Sequence, residues 1–210
     1  MRNYCEAFDQ SEIDNLRNIS SFNYEKVPSC FRLGKSPKDT LVLYKGAQRG
    51  KESCGFLSHA VENQKILEIE KTKRIIESGD NGAIFNIINK HTSAGSFSAF
   101  LSSTYNPEMA QVFAPVDHSG KGFTIYQLKV SASRCIIDSF NTGHVGLSGE
   151  ILILGAIYPD EISAVKLNND DSHSELIYKD VDGSTLMRRI PNMKSANIKT
   201  KDPNNWFILK

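Results

Sequence analysis

Apolar residues along this chain recur at helical spacing in the first half and at strand spacing in the second. Between residues 59 and 78, Val61, Ile66, Leu67, Ile69, Ile75 and Ile76 are interleaved with Glu62, Lys65, Glu68, Glu70, Lys71 and Lys73. That pattern predicts one amphipathic helix, with Gly79 as its C-cap. The Gly-Asp-Asn-Gly run at 79–82 then breaks the chain before a second short helix, roughly 83–90, and residues 91–95 read as a polar loop. Residues 1–38 show no strong period and predict a short helix with an irregular lead-in. The first clear strand is 40–44, Thr-Leu-Val-Leu-Tyr, which is β-branched and aromatic and runs into Lys45 and Gly46.

The segment 97–114 carries a sharper signal. Phe97, Phe100 and Leu101 give the weight of a strand, and Ser102, Ser103 and Thr104 crowd three hydroxyls at its end. Asn106 is then placed as a helix N-cap, Pro107 as the first helical residue and Glu108 at the positive end of the macrodipole. Met109, Val112 and Phe113 follow at helical spacing. Further strands are predicted at 122–130 (an inner strand, apolar on both faces), 134–138, 151–154 and 162–167, with an edge strand at 175–178. The tail from Ser184 ends in Trp206, Phe207, Ile208 and Leu209, which are able to dock on the body. Strands follow one another too closely for βαβ crossovers, so the expectation is an α+β fold with a mixed or antiparallel sheet and a helical N-terminal part. The expected division is a lead-in at 1–38, a domain at 39–180 and a tail at 181–210.

With 210 residues, 40% of them hydrophobic, there is ample material for one full core. The net charge is +1 and no long basic run occurs, so the footprint of a nucleic-acid partner is missing. No apolar run approaches the roughly 18 residues of a membrane span, and the N-terminus lacks a charged-then-apolar signal pattern. A soluble chain is expected. Cys5, Cys30, Cys54 and Cys135 are scattered without metal-ligand spacing, which argues against a metal site and fits a reducing cytosol. No local feature activates any of these thiols as a nucleophile paired with one of the five histidines.

Three elements carry candidate chemistry, and they come in one order. They are Tyr44-Lys45-Gly46 after a strand, then Phe100-Leu101-Ser102-Ser103-Thr104, then Ser148-Gly149-Glu150 before Ile-Leu-Ile-Leu-Gly155 and Ile157-Tyr-Pro159-Asp-Glu-Ile162. Together, over about residues 40–167, they resemble the bacterial mono-ADP-ribosyltransferase toxins and effectors of the Arg-Ser-Glu class. The resemblance implies NAD as substrate, a host protein as acceptor, and a secreted effector acting in the host cytoplasm, with a chaperone or immunity protein as a further partner.

By the same resemblance, Glu150 is the catalytic carboxylate, Ser102 orients it, and Ser103 and Thr104 shape the same wall. Lys45 stands at the pyrophosphate-binding position beside Gly46, and Tyr44, Phe97 or Phe100 supplies a ring for the nicotinamide. Two positions depart from the pattern. Lys45 replaces the family's arginine with a compact ammonium that lacks the planar bidentate fork. Ser148 occupies the acceptor-orienting position, where arginine-modifying members carry Glu or Gln. Two alternatives stay open: a catalytically degenerate binding module, and an NAD glycohydrolase. Each residue also has a structural reading: turn chemistry for Ser102–Thr104, an ordinary strand start for Glu150, and a solvated lysine for Lys45. His91 or Ser96 is a candidate for lining the cleft, although a loop histidine is more often uninvolved.

Overall fold

Asp9 starts the first helix by accepting the N–H of Glu12 at 2.8 Å, while the Glu12 carboxylate accepts the N–H of Asp9 at 3.0 Å. This reciprocal cap satisfies two of the N–H groups that a helix start leaves without partners. The computed structural model describes residues 8–47, 51, 55–92, 98–112, 124–139, 150–167 and 206–209. Its elements in chain order are α1 (Gln10–Ile19), β1 (Thr40–Ala47), β2 (Phe56–Leu57), α2 (His59–Glu62), α3 (Ile66–Ser78), α4 (Asn81–Thr92), β3 (Phe100–Thr104) and α5 (Pro107–Val112). The remaining elements are β4 (Thr124–Ser131), β5 (Cys135–Ile137), β6 (Glu150–Leu154), β7 (Ala156–Ile157), β8 (Ile162–Leu167) and β9 (Trp206–Ile208). The pairs β3–β6, β5–β6, β4–β8, β8–β9 and β2–β7 are all antiparallel, so the fold is α+β, as the sequence predicts.

The chain divides into two compact units. The first comprises Met1–Leu41, Phe56–Tyr105 and Val130–Ile157. Its strands lie in the order β5-β6-β3, with β6 in the middle. Ile151, Leu152, Ile153 and Leu154 of β6 are fully buried. That explains an unbroken apolar run where an exposed face would require alternation, and each such side chain contributes about 1.5–3 kcal/mol of burial.

The helices of this unit depart from the sequence expectation in two places. The single helix expected over 59–78 is two, α2 and α3, because Gln64 adopts φ +58 between them. A left-handed residue cannot lie inside a right-handed helix. Hydrophobic spacing hides the break, since Val61 and Ile69 are buried on either side of it. The second difference is that residues 91 and 92, expected as loop, form the last turn of α4. That helix also begins earlier than expected, because the Asp80 carboxylate accepts the N–H groups of Gly82 and Ala83 at 2.9 and 3.1 Å. Gly79 does end α3 in the left-handed conformation, φ +74.

The second unit comprises Val42–Gly55, Asn106–Lys129 and Tyr158–Lys210. Its strand order is β1-β4-β8-β9, so β4 is an inner strand, and Ile125, Tyr126 and Leu128 on it are buried. The β4–β8 register shifts between Gln127 and Leu128. The tail does dock, with Trp206 opposite Lys166 and the N–H of Leu209 donated to the carbonyl of Ser163 at 2.8 Å. At the start of α5, the Asn106 side chain accepts the N–H of Glu108 at 2.8 Å, the cap expected from Asn-Pro-Glu. The edge strand expected at 175–178 lies outside the described residues. No helix among the described residues is long and apolar enough to cross a membrane.

Candidate active site

Strand alternation sorts the three hydroxyls of β3. Phe100, Ser102 and Thr104 share one face, and Ser103 points to the other. Ser103 is buried and its hydroxyl donates to the carbonyl of Ile151 at 2.9 Å. On the opposite face, Thr104 is the direct partner of Glu150 in the β3–β6 ladder. Residues directly opposite in an antiparallel pair project to the same side, so the Glu150 carboxylate is carried on the face of Ser102. The three hydroxyls are the last three residues of β3, at the strand end where the sequence pattern placed them, and the pairing with β6 runs through all of them.

The end of α4 supplies the remaining group. His91 Nε2 lies 2.8 Å from Ser102 Oγ and 3.8 Å from Glu150 Oε1. The first is a hydrogen bond; the second is an ion-pair distance that becomes charged when the imidazole is protonated. On the other side of the ring, Nδ1 lies 2.5 Å from Ser98 Oγ. The ring meets Phe100 edge to face, with centroids 5.9 Å apart and planes at 77°. The His91 side chain is 12% exposed and that of Glu150 22%, so both ionisable groups are largely withdrawn from water while the carboxylate keeps some access.

The sequence-predicted site residues therefore fall into three groups. Glu150, Ser102 and Phe100 share a neighbour in His91, and Thr104 stands opposite Glu150. Ser103 holds the β3–β6 ladder and faces away from the cluster. Tyr44, Lys45 and Gly46 lie on β1, in the second unit. There the Tyr44 hydroxyl accepts from Gln127 Nε2 at 3.4 Å and its ring packs on Trp206 at 5.7 Å. Phe97, Ser96 and Ser148 lie outside the described residues.

His91 is the residue that sequence reasoning undervalued. The available signal was its place just past the helix predicted at 83–90, seven residues before Ser98 and eleven before Ser102. The resulting arrangement, a carboxylate beside an imidazole and two hydroxyls on one sheet face, suits stabilisation of positive charge developing on a bound molecule.

No protein-family model matches the chain, and no curated protein matches it. Among solved structures it is similar to the catalytic domain of the mosquitocidal toxin from Bacillus sphaericus, in a glutamate-to-glutamine mutant form. Identity is 13% and the TM-score 0.33, over 75% of this chain and 67% of that chain. The reading of the site stands on this chain's own residues.

Proposed function

We propose that the protein is a mono-ADP-ribosyltransferase that moves ADP-ribose from NAD to a side chain of a host protein. The observation that carries this reading is the cluster of His91, Ser102 and Glu150, in which the second and third sequence motifs meet on one face through the β3–β6 register. In the proposed reaction the bond from ribose C1′ to nicotinamide breaks, nicotinamide leaves with the electron pair, and the acceptor bonds to C1′ and gives up its proton. The ribose passes through an oxocarbenium-like state. Glu150 stabilises that charge, and Ser102 and His91 hold the carboxylate in place. Phe100 or Tyr44 offers a ring to the nicotinamide. By the sequence resemblance alone, Lys45 beside Gly46 is assigned to the pyrophosphate as a point charge and Ser148 to the acceptor.

The lysine at position 45 favours a second reading, a fold-sharing binding module without chemistry. Incubation of the protein with labelled NAD and cell lysate separates the two. Transfer of label that disappears in Glu150→Ala supports the enzyme. Release of nicotinamide without labelled protein identifies an NAD glycohydrolase. No transfer and no NAD turnover even by Lys45→Arg overturns the enzyme reading, and calorimetric titration with NAD then decides whether the nucleotide binds at all.

A further inference from the structure

Ser98 belongs to none of the three motifs, yet its hydroxyl oxygen is engaged twice. It accepts the N–H of Phe100 at 3.1 Å and lies 2.5 Å from Nδ1 of His91. A hydroxyl has one hydrogen and two acceptor lone pairs. With a lone pair turned to the Phe100 N–H, the Ser98 hydrogen can be given to Nδ1. Across the ring, Nε2 faces two oxygens, Ser102 Oγ at 2.8 Å and Glu150 Oε1 at 3.8 Å. An ionised carboxylate only accepts, and its negative field favours a hydrogen on the nearer ring nitrogen.

The ionisable group facing His91 from β6 is Glu150. On α3, which packs on α4, four of the six charges pair within the helix: Lys71 with Glu68 at 3.9 Å and Arg74 with Glu70 at 3.3 Å. Glu77 of the same helix accepts the N–H of Asn23 at 2.6 Å.

We propose that Ser98 is a positioning residue: its hydroxyl donates to Nδ1 of His91 and so selects the tautomer that carries its hydrogen on Nε2. The hydrogens of Phe100 N, Ser98 Oγ and His91 Nε2 then all run in one direction, toward Ser102 and Glu150. Ser102 accepts from Nε2 and keeps its own hydrogen for donation on the carboxylate face. Glu150 remains an ionised acceptor on that same face. The consequence for catalysis rests on the NAD reading; the tautomer does not.

Nuclear magnetic resonance of the full chain with ring-15N histidine tests this, the His91 signals being identified by their loss in His91→Gln. The wild type is expected to show one neutral species with its hydrogen on Nε2. Ser98→Ala is expected to give a mixture of tautomers, and Ser98→Thr, which restores the hydroxyl, the wild-type pattern. In the NAD assay Ser98→Ala lowers kcat by about tenfold to a hundredfold with KM little changed, and Ser98→Thr recovers it. A hydrogen on Nδ1 or on both nitrogens in the wild type overturns the proposal, as does an unchanged pattern in Ser98→Ala. The wild-type spectrum decides even if Ser98→Ala fails to fold. If no form turns over NAD while the tautomer is as stated, the proposed function fails and the assignment of Ser98 stands.

Discussion

Thr104 and Glu150 are direct partners across the β3–β6 ladder, and that single register relationship places the carboxylate on the face that carries Ser102 and meets His91. A slip of one residue would turn Glu150 to the other face, beside Ser103. The ladder itself is fixed by the buried side chains of β6 and by the hydrogen bond from Ser103 to Ile151.

Adjacent serines should therefore behave differently. Ser103→Ala is expected to lower stability by about 1 kcal/mol in urea unfolding and to leave NAD turnover near the wild-type value. Ser102→Ala should unfold as the wild type does and lower kcat by tenfold or more, on the order of the cost of a misplaced catalytic group. Equal effects of the two changes on turnover would contradict the division of β3 into a scaffold face and a site face.

The reach of the carboxylate is a second test. Glu150→Asp keeps the charge but withdraws it by one methylene from Nε2 of His91, already 3.8 Å away. NAD turnover by the proposed enzyme is expected to fall by about a hundredfold, with an unchanged circular dichroism spectrum. Full activity in this variant would mean that the position of the carboxylate is not used.

Two glycines with the same backbone hand separate conformational strain from crowding. Gly155 (φ +82) lies against Ser20: a Cβ there would overlap Ser20 Oγ and come within 3.0 Å of its Cβ. Gly155→Ala is expected to cost about 3 kcal/mol, from left-handed strain and overpacking together. At Gly79 (φ +74) nothing lies within 4 Å, so Gly79→Ala should cost only about 1 kcal/mol. Chemical denaturation of the two variants measures the difference, and Ser20→Gly should recover part of the loss in Gly155→Ala but none of that in Gly79→Ala.

Acid should weaken the start of α1. The N–H of Glu12, and after it the Ser11 hydroxyl, hold the Asp9 carboxyl below its ordinary value. Its pKa is lower folded than unfolded, so the stabilisation is present above the unfolded value and is lost as pH falls through the folded one. Asp9→Asn keeps a capping oxygen without the charge. The stability advantage of the wild type over Asp9→Asn, followed by thermal unfolding, should shrink as pH drops below the ordinary carboxylate range. An advantage that does not change with pH would show that the charge contributes nothing.

Local signals in the sequence were reliable where the physics is local. Asn106 before Pro107 caps α5, Gly79 ends α3, and the apolar runs at 151–154 and 162–167 are strands, each because a side chain or a φ preference acts within a few residues. The break at Gln64 escaped notice because no residue there announces a positive φ and the apolar spacing continues past it. Residues 91 and 92 read as loop in the sequence because α4 extends past the apolar positions that mark a helix there.

The candidate site shows the same division. The sequence by itself determined the α+β class and put forward Glu150 and Ser102 as candidates for chemistry, since residue types and their order are written in the chain. Only the tertiary structure decided that Ser103 faces the core while Ser102 faces His91, and that this histidine, a loop residue by its sequence pattern, meets both motifs. The physical reason is that a side chain's face depends on strand register and on where a helix ends. Both are set by packing among residues far apart in sequence, which no local pattern encodes.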